Sequence, residues 1–442
     1  MRPQAEEYIA LLDQLHCIQK HGKVSQVIGL TIESEGPNAK IGEICLIYPQ
    51  DEAHPIKAEV VGFKQNKILL MPLNDISHIG PGCVVVATGS PLQIKVGTNL
   101  LGCVLDGNGQ PLDQSKLPKG LRSFSTSNQP PNPLTRPRIQ EPIKVGVRCI
   151  DGLLTVGKGQ RIGIFAGSGV GKSTLMGMIA RNTSADINVI ALIGERGREV
   201  RDFIERDLGP EGLKRSVVVV ATSDQPALSR LKGALTATAI AEYFRDQGNN
   251  VMLMMDSVTR FAMAQREVGL AIGEPPTSKG YTPSVFALLP KLLERSGTSS
   301  KGSITAFYTV LVDGDDMNEP IADAVRGILD GHIVLDRKIA QKGQFPAVNV
   351  LASVSRVMNE IVSHEQQQAA EELKRNLAIY QNSEDLITIG AYKKGTSREV
   401  DQAIRLYPQI LDYLKQGVHE VSNFDESIEQ LKAKFGKDVI NG

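Results

Sequence analysis

The chain has 442 residues, a formal net charge of zero, 41% hydrophobic and 22% charged residues. This balance describes a globular protein with a large core, and at about 150 residues per domain it suggests roughly three domains. It excludes a global basic field for nucleic acid, and with no apolar run near about 18 residues it excludes a transmembrane helix. The five cysteines (Cys17, Cys45, Cys83, Cys103, Cys149) form no CxxC pair. Free thiols in a reducing compartment are expected, without a zinc site. The opening MRPQAEEYIALLDQLH lacks a basic stretch followed by an apolar one, so no secretory signal is expected.

Residues 1–20 are expected to hold an amphipathic helix. Tyr8, Leu11, Leu12, Leu15 and Ile18 recur at helical spacing over 5–20. From 21 to 92 the texture changes to short β-rich runs (KVSQVIGLTIES, EICLIYP, IKAEVVGF, KILLMPL, CVVVATG) between Gly- and Pro-rich turns. Such punctuation predicts a small barrel or sandwich. Residues 93–142 read as a connector. LLGCVLDGNGQPLD looks like turns, and 122–142 carries five prolines, which predicts an extended segment.

Residues 143–365 alternate apolar runs (RIGIFAG, INVIALIG, SVVVVATS, NVMLMMD, ITAFYTVLV, HIVLD) with longer helical stretches. The alternation predicts an α/β domain with a mostly parallel sheet. Residues 366–442 lose the strands, and EQQQAAEELKRNLAIYQNSEDL and REVDQAIRLYPQILDYLKQG predict a C-terminal helical domain.

RIGIFAGSGVGKSTLMGMIA places a glycine-rich turn between a strand and a helix. Ala166, Gly167, Ser168, Gly169, Val170, Gly171, Lys172, Ser173 and Thr174 meet the phosphate-loop pattern, with Ala166 standing where the strict form has Gly. The glycines let backbone N–H groups turn in around an anion, and the helix start adds its dipole. Lys172 can reach the β- and γ-phosphates of ATP, and the Ser173 hydroxyl can hold Mg2+. Asp256 ends the apolar run NVMLMMD and suits the metal shell. Glu195 opens GERGREVRDFIERDLG directly after INVIALIG. Within that segment Val200, Phe203, Ile204 and Leu208 form one apolar stripe, and Arg198–Asp202 and Arg201–Glu205 are i,i+4 pairs. Those features account for the helix but not for a carboxylate at a strand's carboxyl end. There Glu195 can polarise a water aimed at the γ-phosphate.

These motifs together resemble the catalytic subunits of rotary ATPases and their secretion-system relatives. AGSGVGKST, GERGREVRDF, MMDSVTRFAMAQRE, IGEPPTSKGYTPSVFALLPKLLERSG and SVSR all carry the likeness. GSITAFYTVLVDGDDMNEPIADAVRGILDGHIVLDR and IGAYKKGTSREVDQAI narrow it to the flagellum-specific ATPase group of the type III protein export apparatus. The resulting expectation is multidomain: a small N-terminal β-barrel, a central RecA-like phosphate-loop ATPase domain and a C-terminal helical domain.

The resemblance also implies site roles. Glu195 would be the catalytic carboxylate, with Arg196 and Arg260 near the γ-phosphate. Arg356 would be an arginine finger donated by a neighbouring subunit, Phe345 would stack on adenine, and Tyr392 would close the other side of that pocket. In ATP synthases the catalytic Glu and the finger sit on different subunits, whereas this chain carries both, which implies a homohexameric ring with ATP at every interface. The partners implied are a stator-like regulatory protein at the N-terminal helix, a coiled-coil central stalk facing 274–289, export-gate membrane proteins, and flagellar export substrates with their chaperones. The place implied is the cytoplasm, peripheral to the inner face of the membrane.

Three other readings stand beside this one. The first is an injectisome ATPase, and the second is a catalytic subunit of an ATP synthase. The third, an RNA-translocating hexamer, needs a basic and aromatic groove. Residues 21–92 offer only Tyr48 and Phe63 and no basic run, so no nucleic acid is expected.

Overall fold

The structure is a computed structural model that describes residues 21–50, 54–74, 78–113, 115–312 and 316–436. The helix expected over 5–20 lies outside these residues.

Alternation builds the first domain. Six antiparallel strands (His21–Ile28, Thr31–Glu35, Glu43–Tyr48, Ile56–Lys64, Lys67–Pro72, Val84–Pro91) close into a barrel. Cys45 and Ile47, Ala58 and Val60, Ile68 and Leu70 take every second position and point inward. The opposite phase is also used, because Ile44, Met71 and Leu73 join the core of the next domain. A short ion pair crosses the same junction, Lys232 Nζ to Glu59 Oε2 at 2.5 Å.

The connector stretch 93–121, with LLGCVLDGNGQPLD expected as turns, contributes strands. Gln93–Val96 pairs with Arg122–Ser125, and Val104–Asp106 adds a parallel strand to the central sheet beside Ser216–Ala221. Three residues are too few to show a period, and the following turn residues Gly107, Asn108 and Gly109 dominate the local signal.

Beyond it the connector is pinned rather than loose. Arg295 donates to the Thr126 carbonyl at 2.9 Å and grips Glu242 with two bonds of 2.8 and 2.7 Å. Asn128 Nδ2 donates to the same carboxylate at 2.7 Å. The Arg295 and Glu242 side chains are only 3% and 2% exposed. Glu242→Ala would leave a buried guanidinium unpaired, at an expected cost of about 3–5 kcal/mol. A lower Tm together with faster proteolysis at 126–142 is the expected readout. An unchanged Tm would show that the pair does not hold the connector.

The central sheet runs in the order Val354–Ser355, Gly331–Leu335, Arg161–Ala166, Ser303–Leu311, Asn250–Asp256, Ile187–Ile193, Ser216–Ala221, Val104–Asp106. Among the described residues of this sheet, only the edge strand Val354–Ser355 and the short Gly297–Thr298 run antiparallel to their neighbours. Both faces are covered, which is why the strands read as unbroken apolar runs. Val189, Ala191 and Ile193 pack into the layer of the helices Ala227–Asp246 and Val258–Ala271. Ile190 and Leu192 pack into the opposite layer, with the helix Lys172–Asn182.

Three further helices complete that second layer: His364–Thr388, Arg398–Leu414 and Phe424–Phe435. Ser363, Ser397 and Asn423 cap their first turns. Leu373, Ile410, Tyr413 and Phe435 bury their apolar faces in one core with the central sheet.

Candidate active site

Parallel strands aim their carboxyl ends one way, and ligands of open α/β sheets bind at that edge. Arg161–Ala166 runs into the loop 167–171 and then the helix Lys172–Asn182. Gly169 and Gly171 adopt φ of 78° and 91°. Residues with a Cβ rarely take this conformation, so the tight loop requires glycine there. Val170 is buried in the core and serves the loop through its backbone.

Lys172 draws two strand ends together. Its Nζ lies 2.5 Å from Asp256 Oδ1 and 3.4 Å from Glu195 Oε1. Thr309, on the strand between Arg161–Ala166 and Asn250–Asp256, donates its hydroxyl to the same Asp256 oxygen at 2.7 Å. Sequence reasoning missed Thr309, because a Thr inside ITAFYTVLV reads simply as a strand former.

Burial lowers the pKa of Lys172, but the Asp256 and Glu195 carboxylates outweigh it and the net shift is upward. Glu195 is pushed up to about 7, first by burial and then by the charge of Asp256, against the pull of Lys172. A carboxylate titrating near neutral pH is matched to proton acceptance there. The rising limb of kcat/KM for ATP is therefore expected near pH 7, with activity lost as pH falls and Glu195 takes up a proton. The pH profile should lose this limb in the residual activity of Glu195→Gln. A limb near the ordinary carboxylate range would contradict the assignment.

The surrounding cleft, of about 520 Å3, is lined by 166–169 and 171–174, Glu195, Arg196, Ser223 and Arg260. Arg196 is exposed at its rim and pairs with Glu199 at 3.2 Å. Arg260 passes over Gly194, and its Nε is buried without a hydrogen bond among the described residues. An unmet buried donor costs about 1–3 kcal/mol, so it fits a cleft built for an anion. The segment after Glu195 is helical as expected, and its pairs Arg198–Asp202 and Arg201–Glu205 form at 3.8 and 2.8 Å. It widens to a π turn over Phe203–Leu208, where Asp207 is buried and lines the cleft beside Arg206.

Phe345 sits at the end of the phosphate loop. Its ring atoms come within 3.9 Å of where a Cβ on Gly171 would stand, and the residue is 48% exposed. That leaves an aromatic face open beside the loop.

Tyr392 and Arg356 stand away from this group. Tyr392 bonds instead to the Ser397 carbonyl and Asp401 Oδ1, both at 3.0 Å. It lines a separate pocket of the helical domain with Arg398 and Arg405. The cause is local: the turn before Arg398–Leu414 folds back onto the start of that helix. The Tyr392 hydroxyl is thus engaged within its own turn. Arg356 follows the edge strand Val354–Ser355, is exposed, and its Nη2 donates to the Arg326 carbonyl at 3.3 Å. It does not line its own chain's cleft.

Comparison with known proteins places these features. Residues 146–355 match the nucleotide-binding domain of the ATP synthase alpha/beta family, and 24–89 match that family's beta-barrel domain. Residues 362–433 match the T3SS EscN ATPase C-terminal domain. The chain is 65% identical to the Flagellum-specific ATP synthase of Bacillus subtilis, covering 98% of this chain and 100% of that protein. It is 51% identical to the Type 3 secretion system ATPase of Xanthomonas euvesicatoria over 93% of each. The assembled ATPase EscN of the enteropathogenic E. coli type III secretion system superposes with a TM-score of 0.89 at 48% identity, covering 94% of this chain and 100% of that one. The same ATPase in complex with its central stalk EscO gives a TM-score of 0.87. On these matches the chain belongs to the ATP synthase alpha/beta family, in its branch of flagellar and type III secretion ATPases, and is an enzyme that hydrolyses ATP.

Proposed function

We propose that this enzyme works in flagellar type III export as a homohexameric ring, with ATP at the subunit interfaces. The observation that carries the ring is a split: Lys172, Glu195 and Asp256 converge in one cleft, while Arg356 stands outside it, just past the edge strand Val354–Ser355. A finger so placed serves the cleft of an adjacent copy. The 65% identity to a flagellum-specific relative over nearly the whole chain favours the flagellum over an injectisome.

In the reaction, a water oxygen attacks the γ-phosphorus and its proton passes to Glu195. The bond from the γ-phosphorus to the bridging oxygen breaks, and ADP and phosphate leave. Lys172 and the loop N–H groups hold the phosphates, Arg196 and Arg260 add positive charge, and Phe345 offers adenine a stacking face. Among the described residues no group of three or more His, Cys, Asp or Glu could hold a metal. Ser173 and Asp256 are the residues that would hold Mg2+ beside the phosphates. When bound, Mg2+ neutralises charge on the phosphates.

The exposed loop ahead of Pro283–Leu293 is the proposed contact for a coiled-coil stalk; that EscN was solved in complex with its central stalk EscO supports a stalk as partner. A stator-like regulator at 5–20, export-gate proteins, and substrates with their chaperones complete the partners. The enzyme would act at the inner face of the cytoplasmic membrane.

The test is in cells. Glu195→Gln replaces the chromosomal copy, protein level is checked, and surface filaments are counted. Sparse filaments with filament protein retained inside support flagellar export. Normal filaments, with ATPase activity abolished in the purified variant, would move the enzyme to another secretion system.

A further inference from the structure

Arg356 itself makes few contacts, yet the backbone that carries it is firmly held. Its N–H donates to the Asp330 carbonyl at 3.0 Å. That same carbonyl accepts from Gln160 Nε2 at 3.1 Å, and Gln160 Nε2 also donates to Ser355 Oγ at 3.1 Å. Gln160 is fully buried, and its Oε1 is fixed by the Gly157 N–H at 2.8 Å. The Asp330 carboxylate is held in turn by Arg161, through Nε at 2.9 Å, Nη2 at 3.0 Å and the backbone N–H at 3.0 Å. Two-pronged pairing of this kind fixes orientation as well as distance. Gly331 lets the edge strand press close, since a Cβ there would stand 2.6 Å from the Val354 carbonyl oxygen.

The placement of these groups is informative. Arg161 is the first residue of the phosphate-loop strand and Gln160 precedes it. The base of the strand that ends in one subunit's cleft therefore also grips the segment bearing the finger for another. We propose that Gln160 and Asp330 are positioning residues for Arg356, holding its backbone so that the guanidinium reaches the adjacent subunit's γ-phosphate. The inference rests on the ring with a finger supplied between subunits. Neither residue touches nucleotide in its own chain, as neither lines the cleft.

The experiment is complementation between full-length variants, with ATP turnover and ring assembly both measured. Gln160→Met removes both donor bonds at similar volume. It is expected to lower kcat about tenfold to a hundredfold, as small misplacements of catalytic groups do, with KM little changed. Mixed one to one with Glu195→Gln, its own cleft is intact and receives a well-held finger from the other variant. In a random ring about one interface in four joins an intact cleft to an intact finger. Turnover well above the sum of the two variants alone is therefore expected, as for Arg356→Ala mixed with Glu195→Gln. If that Arg356→Ala pair regains activity and the Gln160→Met pair does not, Gln160 acts within its own cleft and the proposal fails. Wild-type kcat in Gln160→Met also overturns it. If the Arg356→Ala pair itself gains nothing while rings form, the shared-finger reading is what fails. Should Gln160→Met not assemble, Ser355→Ala, which removes the other end of the contact, must give the same complementation.

Discussion

Glu195→Gln is expected to lower kcat for ATP by about 10²–10⁴-fold, the range for loss of a positioned proton acceptor. The change is nearly isosteric. It keeps an oxygen for Lys172, which stays tied to Asp256 at 2.5 Å. The phosphate loop is untouched, so nucleotide affinity should hold, or tighten slightly as a negative charge leaves the side of the phosphates. Single-turnover hydrolysis beside a nucleotide titration separates the two. Loss of affinity with the chemical step unchanged would make Glu195 a binding residue only.

Arg356→Ala is expected to cost about 10³-fold or more, the scale of an arginine finger. The loss should appear equally in kcat and kcat/KM, because the contact is made in the transition state. Arg356→Lys should recover little, since an ammonium cannot replace the guanidinium fork. Nucleotide affinity of the isolated chain should not change, because Arg356 lies outside its own cleft. Steady-state kinetics on assembled protein decides the matter, and undiminished turnover there would remove Arg356 from the reaction. These effects are electrostatic, whereas the Glu242–Arg295 variant acts on stability and should leave the cleft's chemistry intact in whatever protein folds.

Sequence alone determined the features whose physics is local. INVIALIG, SVVVVATS and NVMLMMD were legible as strands because burial on both faces favours apolar residues at successive positions. The phosphate loop was legible because its N–H groups, Lys172 and Ser173 are contiguous. Glu195 and Asp256 were legible because each interrupts an apolar run at a carboxyl end. The barrel was legible from period and turns.

Tertiary structure decided what depends on residues distant in the chain. Val104–Asp106 becomes a strand only because Ser216–Ala221 offers it an open edge. Thr309 reaches Asp256 from 53 residues away, and Arg161 reaches Asp330 from 169. Tyr392 is turned towards Asp401 by a local turn, and Arg356 is carried past the edge strand Val354–Ser355, outside its own chain's cleft. No local pattern encodes such meetings. A side chain's partner is set by strand order and loop path, and those follow from burying the whole set of apolar faces at once.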